Sequence, residues 1–136
     1  MKEMAQYLIM LLALLTIQRP ATAPHQMEPI AEVVPKMTYA GEYTIVAYCA
    51  EQYPHICGGN PTTKSGEPVT PGVTVAADPD VLPLGTRVCI EGIGERVVQD
   101  TGGAIRGRKI DLAVESHEEA LEFGRRAAEV YILEEQ

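Results

Sequence analysis

Two aspartates that stand eleven positions apart are the residues of this chain best suited to chemistry. Asp100 opens the run Asp-Thr-Gly-Gly, whereas Asp111 stands between Ile110 and Leu112 in the apolar alternation of a strand. A carboxylate among apolar neighbours is costly unless it is paired or used. Burial and a second carboxylate would both raise its pKa, which suits a general acid. We therefore predict that Asp111 is a catalytic acid and that Asp100 is the charged carboxylate beside it.

The glycine-rich turn between the two aspartates can bring backbone amides to the same site. The N–H groups of Thr101, Gly102 and Gly103 are predicted to face a ligand and to stabilise negative charge on it. Asp100 is also of a residue type that starts turns, so its position alone does not require a catalytic role.

The remaining motifs narrow the chemistry. The chain has no Walker loop, dinucleotide-binding fingerprint or HExxH sequence, and we predict neither a cofactor nor a metal site. Paired carboxylates then point to glycoside cleavage or to peptide hydrolysis by an aspartate dyad. With no Trp and one Phe, aromatic contact to a sugar would come from tyrosines, of which Tyr43, Tyr48 and Tyr53 are candidates.

An aspartic protease is the more remote of these two alternatives. Asp100-Thr101-Gly102 has the Asp-Thr-Gly sequence of that class, and the chain is close to the length of a half-enzyme. However, Gly103 follows the tripeptide, and the polar Gln99 precedes it where an apolar strand residue is expected.

The N-terminus has the features of a secretory signal peptide, over residues 1–23. Lys2 precedes the apolar run 7–17, and Ala21-Thr22-Ala23 has the form of a cleavage site. Cleavage after Ala23 is favoured over an uncleaved anchor, because a membrane span needs roughly 20 apolar residues. The remaining 113 residues carry a formal charge of −9, which argues against nucleic acid as a partner.

Three cysteines fit an exported protein. Cys49 and Cys57 bracket a short loop and are the candidates for a disulfide, which is favoured over two free thiols and over a zinc site with His55. Cys89 alternates with apolar residues and is expected to be a small core residue.

Strand patterns recur along residues 37–136, which we predict to form one domain after a linker over 24–36. Ser116 and Glu119 form a capping box, so a helix is expected over His117–Ala128 with Leu121 on its apolar stripe. Short strands and glycine turns in a chain of this length favour a small closed barrel. The six predicted strands are Tyr43–Tyr48, Val73–Ala77, Thr86–Ile90, Arg96–Gln99, Ile110–Val114 and Glu129–Leu133.

Taken in order, these segments resemble the 3D domain, a family named for three aspartates. The family occurs in stationary-phase survival proteins of Gram-positive bacteria and, in a related form, in the MltA-type lytic transglycosylases. The resemblance covers residues 43–133. Its matching pieces are 43–48, Thr63-Lys64-Ser65-Gly66, 78–86, 99–107, 110–112, 116–121 and 124–126.

The resemblance implies a mostly β fold, a six-stranded double-psi β-barrel with one α-helix in the C-terminal half. It also implies a secreted or wall-bound lytic transglycosylase whose partners are peptidoglycan glycan strands. Asp111 matches the residue that is the catalytic acid/base in the family, and Asp100 matches an aspartate that supports this acid/base in catalysis. Asp78 would bind sugar, and the remaining predicted substrate-binding residues are Tyr48, Ser65, Thr101, Gly102 and Gly103.

One departure from the family keeps a second function open. The family often has an aromatic residue after the position of Asp111, whereas Leu112-Ala113-Val114 is aliphatic here. One sugar subsite would then lack an aromatic contact, although the catalytic acid is present. The alternative is a non-catalytic module that binds peptidoglycan or regulates its turnover.

Overall fold

The computed structural model describes residues 34–51 and 60–134, and within them six strands close into a barrel. The strands follow one another around the barrel in the order β1-β5-β2-β4-β3-β6. The elements are β1 (Lys36–Cys49), β2 (Thr74–Ala77), β3 (Arg87–Ile90), β4 (Gly94–Asp100), β5 (Lys109–Val114), α1 (His117–Phe123) and β6 (Arg126–Glu134).

Two of the six strand pairs are parallel. β1 runs parallel to β5, and β2 runs parallel to β4, whereas the other four neighbours are antiparallel. Parallel pairs need crossover connections, so the chain repeatedly passes from one side of the barrel to the other. The predicted mostly β, six-stranded double-psi barrel with one helix is confirmed.

The core is built by strand alternation, because successive side chains point to opposite faces of a sheet. Each strand contributes at least one apolar side chain that is 0% exposed, and these side chains pack together inside the barrel. They are Ile45, Val75, Val88, Val98, Ile110 and Val130. Their sequence neighbours therefore face outward, and this is how the barrel presents polar residues on its surface.

The helix is shorter than the sequence pattern predicts. It begins after Ser116, whose side chain accepts a hydrogen bond from the Glu119 N–H at 3.1 Å, so the predicted N-cap is confirmed. It ends at Phe123, because Gly124 takes a φ of +64° and caps the helix. The residues expected to continue it instead form the start of β6, which pairs with β1. Leu121, expected on an apolar stripe, is 69% exposed.

Two further expectations concern β3 and its turn. The hairpin predicted at Gly92-Ile93-Gly94 is confirmed, with β3 and β4 antiparallel on either side of it. Cys89 is not a core residue, because Val88 and Ile90 occupy the inward positions of β3 and leave Cys89 half-buried on the outer face.

The predicted signal peptide and most of the predicted linker lie outside the described residues. β1 begins at Lys36, seven residues before the predicted first strand, and its first part pairs with the end of β6. Within the described residues no helix has the length and apolar character to cross a membrane.

Candidate active site

The strand register places the two predicted catalytic aspartates on either side of one small residue. Ala76 of β2 pairs with Asp100 of β4 on one side and with Asp111 of β5 on the other. Paired residues share a face of the sheet, so all three side chains point outward while Val75 and Leu112 point into the core. Ala76, whose side chain is a single methyl group, is the residue of β2 that stands between the two aspartates at this level.

A β-bulge in β4 is what turns Asp100 outward. Val75 pairs with Val98, but the next residue, Ala76, pairs with Asp100 rather than with Gln99. Regular alternation would put Asp100 on the same face as the buried Val98, and the extra residue moves it to the other face. Gln99, the residue left over, accepts a hydrogen bond from Thr74 Oγ1 at 2.7 Å.

The aspartates lie in an open cleft of about 570 Å³ on the outside of the barrel. Its walls come from β1, β2, β4 and β5, from the loop before β2 and from the turn after β4. The lining residues are Tyr48, Asn60, Thr62, Thr63, Lys64, Ala76, Asp100, Thr101, Gly102, Ile105 and Asp111.

Asp111 is held in a state that suits proton donation. Its Oδ1 is buried and has no hydrogen-bond partner within the described part of the chain. The pKa of Asp111 is raised to about 6, chiefly by burial; the charge of Lys109 opposes the rise and the charge of Asp100 adds to it. A carboxyl with this pKa is partly protonated near neutral pH, as a general acid requires.

Asp100 is fixed in place by the backbone. Its Oδ1 accepts hydrogen bonds from the Lys64 N–H at 3.0 Å and from the Thr101 N–H at 2.9 Å. Those two bonds hold the carboxylate in one orientation. They also join the loop before β2 to the end of β4, so the wall of the cleft and its second carboxylate form one unit.

Tyr48 brings a hydroxyl to the same cleft. It lies two residues beyond Val46 on β1, and Val46 pairs with Asp111. Its hydroxyl is buried without a hydrogen-bond partner in the described structure. Burial, and then the charges of Asp100 and Asp111, raise the pKa of Tyr48 well above its usual value, so the hydroxyl keeps its proton as a donor.

Asp78 lies apart from these residues and is not among those lining the cleft. Its carboxylate accepts the Gly107 N–H at 2.8 Å and the Asp80 N–H at 3.1 Å, and Arg106 stands 3.8 Å from it. The bonds from Gly107 and Asp80 hold the pKa of Asp78 below its usual value. In this structure Asp78 ties the end of β2 to the turn that leads into β5.

Two other predicted substrate-binding residues also lie outside the lining. Ser65 uses its N–H to reach Gln99 O at 2.9 Å, and its hydroxyl lies 3.0 Å from Thr63 Oγ1. Gly103 faces open space. Thr101, Gly102 and Tyr48 do line the cleft, so the structure brings together five of the eight predicted site residues.

Sequence reasoning missed several cleft residues. The segment 63–66 carried a signal, since it belongs to the stretch that resembles the 3D domain, yet only Ser65 was expected to bind substrate. Ile105 also lies in such a stretch, 99–107, but was not expected to line the site, and no pattern in the sequence pointed to Ala76. The other lining residues missed were Asn60, Thr62, Thr63 and Lys64.

The remaining tyrosines and cysteines bear less on the site. Tyr43 is a core residue, only 3% exposed, and does not contribute to a sugar platform. Tyr53 and His55 lie outside the described residues, and so does Cys57. Cys49 is buried at the end of β1, and its pairing with Cys57 stays a prediction.

Residues 73–134 match the family model of the 3D domain, and the resemblance seen in the sequence is confirmed. The match starts just before β2. It therefore includes Asp78, Asp100 and Asp111, but not β1 with Tyr48.

Two relatives from Bacillus subtilis carry cell-wall names. The chain is 48% identical over 59 residues to the cell wall-binding protein YocH, which is 43% of this chain and 21% of the relative. It is 37% identical over 78 residues to YabE, named as a candidate cell wall shaping protein, which is 57% of this chain and 19% of the relative. The chain thus spans about a fifth of these relatives' length.

Solved structures of the lytic transglycosylase MltA of Escherichia coli share the fold. One matches with a TM-score of 0.50 and 20% identity over 55% of this chain and 27% of that one. A crystal structure of MltA with bound chitohexaose also matches with a TM-score of 0.50 and 20% identity, over 57% of this chain and 29% of that one. At this identity the likeness concerns the fold alone. That fold offers no support for the aspartic protease alternative.

Proposed function

We propose that this chain is a secreted peptidoglycan lytic transglycosylase, which cleaves the bond between N-acetylmuramic acid and N-acetylglucosamine. The observation that carries the proposal is Asp111, a half-buried carboxyl with a raised pKa and an unpartnered oxygen in an open cleft. The 3D domain and the MltA-like fold support a peptidoglycan-related function, and the cell-wall names of the relatives agree with it.

The first step is protonation of the leaving group. Asp111 donates its proton to the glycosidic oxygen, and the bond from that oxygen to C1 of the muramic residue breaks. Positive charge develops at C1, and the carboxylate of Asp100 across Ala76 stabilises it electrostatically. The backbone bonds to Asp100 keep that carboxylate oriented during the step.

The second step closes a ring within the same sugar. The C6 hydroxyl of the muramic residue attacks C1, and its proton returns to the carboxylate of Asp111. The product carries a 1,6-anhydro-muramoyl end, the enzyme regains its starting state, and no water is consumed. No protein nucleophile is needed, which distinguishes this scheme from the usual pair of glycosidase carboxylates.

Sugar contacts are proposed for the cleft residues that carry free polar groups. The Tyr48 hydroxyl is a donor with no acceptor in the described structure, and a sugar oxygen would supply one. Thr101 and Gly102 line the cleft beside Asp100. Asp78 is proposed to act on substrate through the turn it holds at Gly107.

A wall-binding module without turnover is the second candidate. The name of YocH favours it, since that relative is called a cell wall-binding protein. It shares with the first candidate a secreted or wall-bound location, which rests on the signal peptide predicted at residues 1–23. It differs in predicting retention on the wall without released fragments.

Digestion of purified cell-wall sacculi by the full-length chain separates the two candidates. Released muropeptides one water lighter than hydrolytic products, and absent with Asp111→Asn, would establish both the transglycosylase reaction and its acid. The Asp111→Asn protein should still bind sacculi, because the side chains have the same shape. Binding by both proteins without any released product would replace the enzyme by the binding module.

A further inference from the structure

The cleft contains a single basic side chain among its described lining residues, and the proposed reaction gives it no task. Lys64 lies in the loop before β2, within the cleft and close in sequence to the buried Thr63. Its ammonium group makes no hydrogen bond or ion pair with any described residue. On a chain with a formal charge of −8, an ammonium that has no acidic partner within residues 34–51 and 60–134 is available to a ligand.

The backbone of Lys64 is held firmly although its side chain is exposed. The Lys64 N–H donates to Asp100 Oδ1 at 3.0 Å, and the next N–H, of Ser65, donates to Gln99 O at 2.9 Å. On the other side, Thr63 is anchored by its N–H and its hydroxyl, which both donate to Glu67 O at 2.8 Å. The backbone of Lys64 is therefore fixed beside Asp100, and the ammonium stands at the end of a flexible side chain of four methylene groups.

The fixed backbone position of Lys64 beside the Asp100 carboxylate limits what its ammonium can recognise. A neutral sugar oxygen would give it only a modest hydrogen bond, whereas a carboxylate would give a charge-assisted one. The same ammonium would partly screen the acidic cleft, which would otherwise repel an anionic substrate. The site is thus suited to a glycan that carries negative charge close to the cleaved bond.

We propose that Lys64 is a specificity-determining residue, whose ammonium binds a carboxylate carried by the muramic sugar. This inference rests on the proposed function, because it names the chemical group of the substrate that binds in the same cleft. The carboxylate has two sources. It is either the lactyl carboxylate of a muramic residue without peptide, or a carboxylate of the stem peptide where the lactyl group is an amide.

The test measures equilibrium binding of the full-length chain carrying Asp111→Asn, so that no strand is cut. The probes are peptide-free glycan strands with free lactyl carboxylates, the same strands with those groups converted to methylamides, and peptide-bearing strands. Lys64→Met is compared with Lys64→Arg, which keeps the charge. Lys36→Met is the matched control, since Lys36 is an exposed lysine paired with Glu134 away from the cleft.

The expected result is that Lys64→Met weakens binding of one carboxylate-bearing probe about fivefold, the size of an exposed ion pair. Lys64→Arg and Lys36→Met should have little effect, and binding of the methylamide strands should not change in any variant. Loss on the peptide-free strands assigns the lactyl carboxylate, and loss on the peptide-bearing strands assigns the peptide.

Two results overturn the inference in different ways. Equal binding by Lys64→Met and its parent to every probe would remove Lys64 from substrate recognition and leave the transglycosylase proposal standing. Failure of the parent to bind any glycan probe would remove both.

Discussion

At the scale of single residues, the cleft is governed by the environment of Asp111. The pKa of its carboxyl, raised to about 6 mainly by burial, means that the protonated fraction falls as pH rises through that value. Since the acid must carry its proton at the start of each turnover, the pH at which wall cleavage is measured should have a large effect on its rate.

The first prediction is therefore a pH profile. We expect kcat/KM for glycan cleavage to fall above about pH 6, approaching tenfold for each further pH unit. The measurement is the rate of anhydro-muropeptide release from sacculi between pH 5 and 8, with binding followed separately. A rate that does not change between pH 6 and 8 would contradict the acid role of Asp111.

The turn after β4 provides a second prediction at this scale. A Cβ on Gly102 would lie 2.9 Å from Cγ1 of Ile105, a buried side chain with little room to move. Gly102→Ala should therefore displace the turn and lower the free energy of unfolding by about 1–3 kcal/mol. Urea denaturation measures this change, and cleavage of sacculi should slow with it.

Gly103→Ala is the matched control, because a Cβ at Gly103 meets nothing within 4 Å and its φ is not in the left-handed region. We expect this variant to keep the stability of the parent. Equal destabilisation of both variants would mean that the turn is sensitive to any side chain, rather than to contact with Ile105.

At the scale of elements, the position of each strand decides which aspartate reaches the cleft. Asp111 comes from the regular alternation of β5, Asp100 needs the bulge at Gln99, and Asp78 leaves the end of β2 toward the turn before β5. The three aspartates of the family thus have different surroundings. Two face each other across Ala76, and the third holds a turn.

The third prediction concerns the turn held by Asp78. Asp78→Ala removes the acceptor of the Gly107 and Asp80 N–H groups, so it should lower Tm by several degrees. Because the folded-state pKa of Asp78 is lowered, its contribution is present above the ordinary pKa of an aspartate and is lost as pH falls through the folded value. Thermal unfolding at pH 7 and at pH 3 tests this.

Asp80→Ala is the control for this prediction, since the exposed Asp80 takes part through its backbone N–H, which the substitution keeps. A loss of glycan affinity in Asp78→Ala without a change in Tm would indicate direct contact of Asp78 with sugar instead.

The strands and the helix also explain which features of the fold and the site could be predicted from the sequence alone. The apolar residues on either side of Asp111 predicted a strand there and a carboxylate that has to be paired or used, and the capping sequence at Ser116 predicted where the helix begins. The bulge could not be predicted, because Gln99 looks like an ordinary strand residue until β2 pairs with β4. Asp100 was identified from its turn and from the resemblance, not from the face it occupies.

Tertiary pairing explains the other differences. The residues before Tyr43 have no strand signal of their own, yet they extend β1 because β6 is present beside them. Lys64 and Ala76 were not predicted as cleft residues for the same reason. The first depends on hydrogen bonds to β4, and the second on having an aspartate in each neighbouring strand.

At the scale of the whole molecule, β1 completes the barrel although it lies outside the segment that matches the family model. It pairs with β5 on one side and with β6 on the other. It also supplies Tyr43 and Ile45 to the core and Tyr48 to the cleft. A closed barrel has no free edges, and removing one strand exposes two of them.

The fourth prediction follows from this closure. Residues 34–136 should unfold in one cooperative thermal transition, at the same temperature as the corresponding transition of the full chain. Residues 73–134 alone should show no such transition, since they lack β1 and its core side chains. Circular dichroism during heating distinguishes the two fragments. A cooperative transition in the shorter one would mean that β1 is an addition to a barrel that already folds.

The central claim is that Asp111 is the general acid for cleavage of the glycosidic bond and that the reaction consumes no water. The most direct measurement is mass spectrometry of the muropeptides released from sacculi in water labelled with heavy oxygen, with the parent chain and with Asp111→Asn. The account predicts unlabelled 1,6-anhydro ends from the parent and no release from the variant. Labelled reducing ends, or anhydro ends released equally by Asp111→Asn, would contradict it.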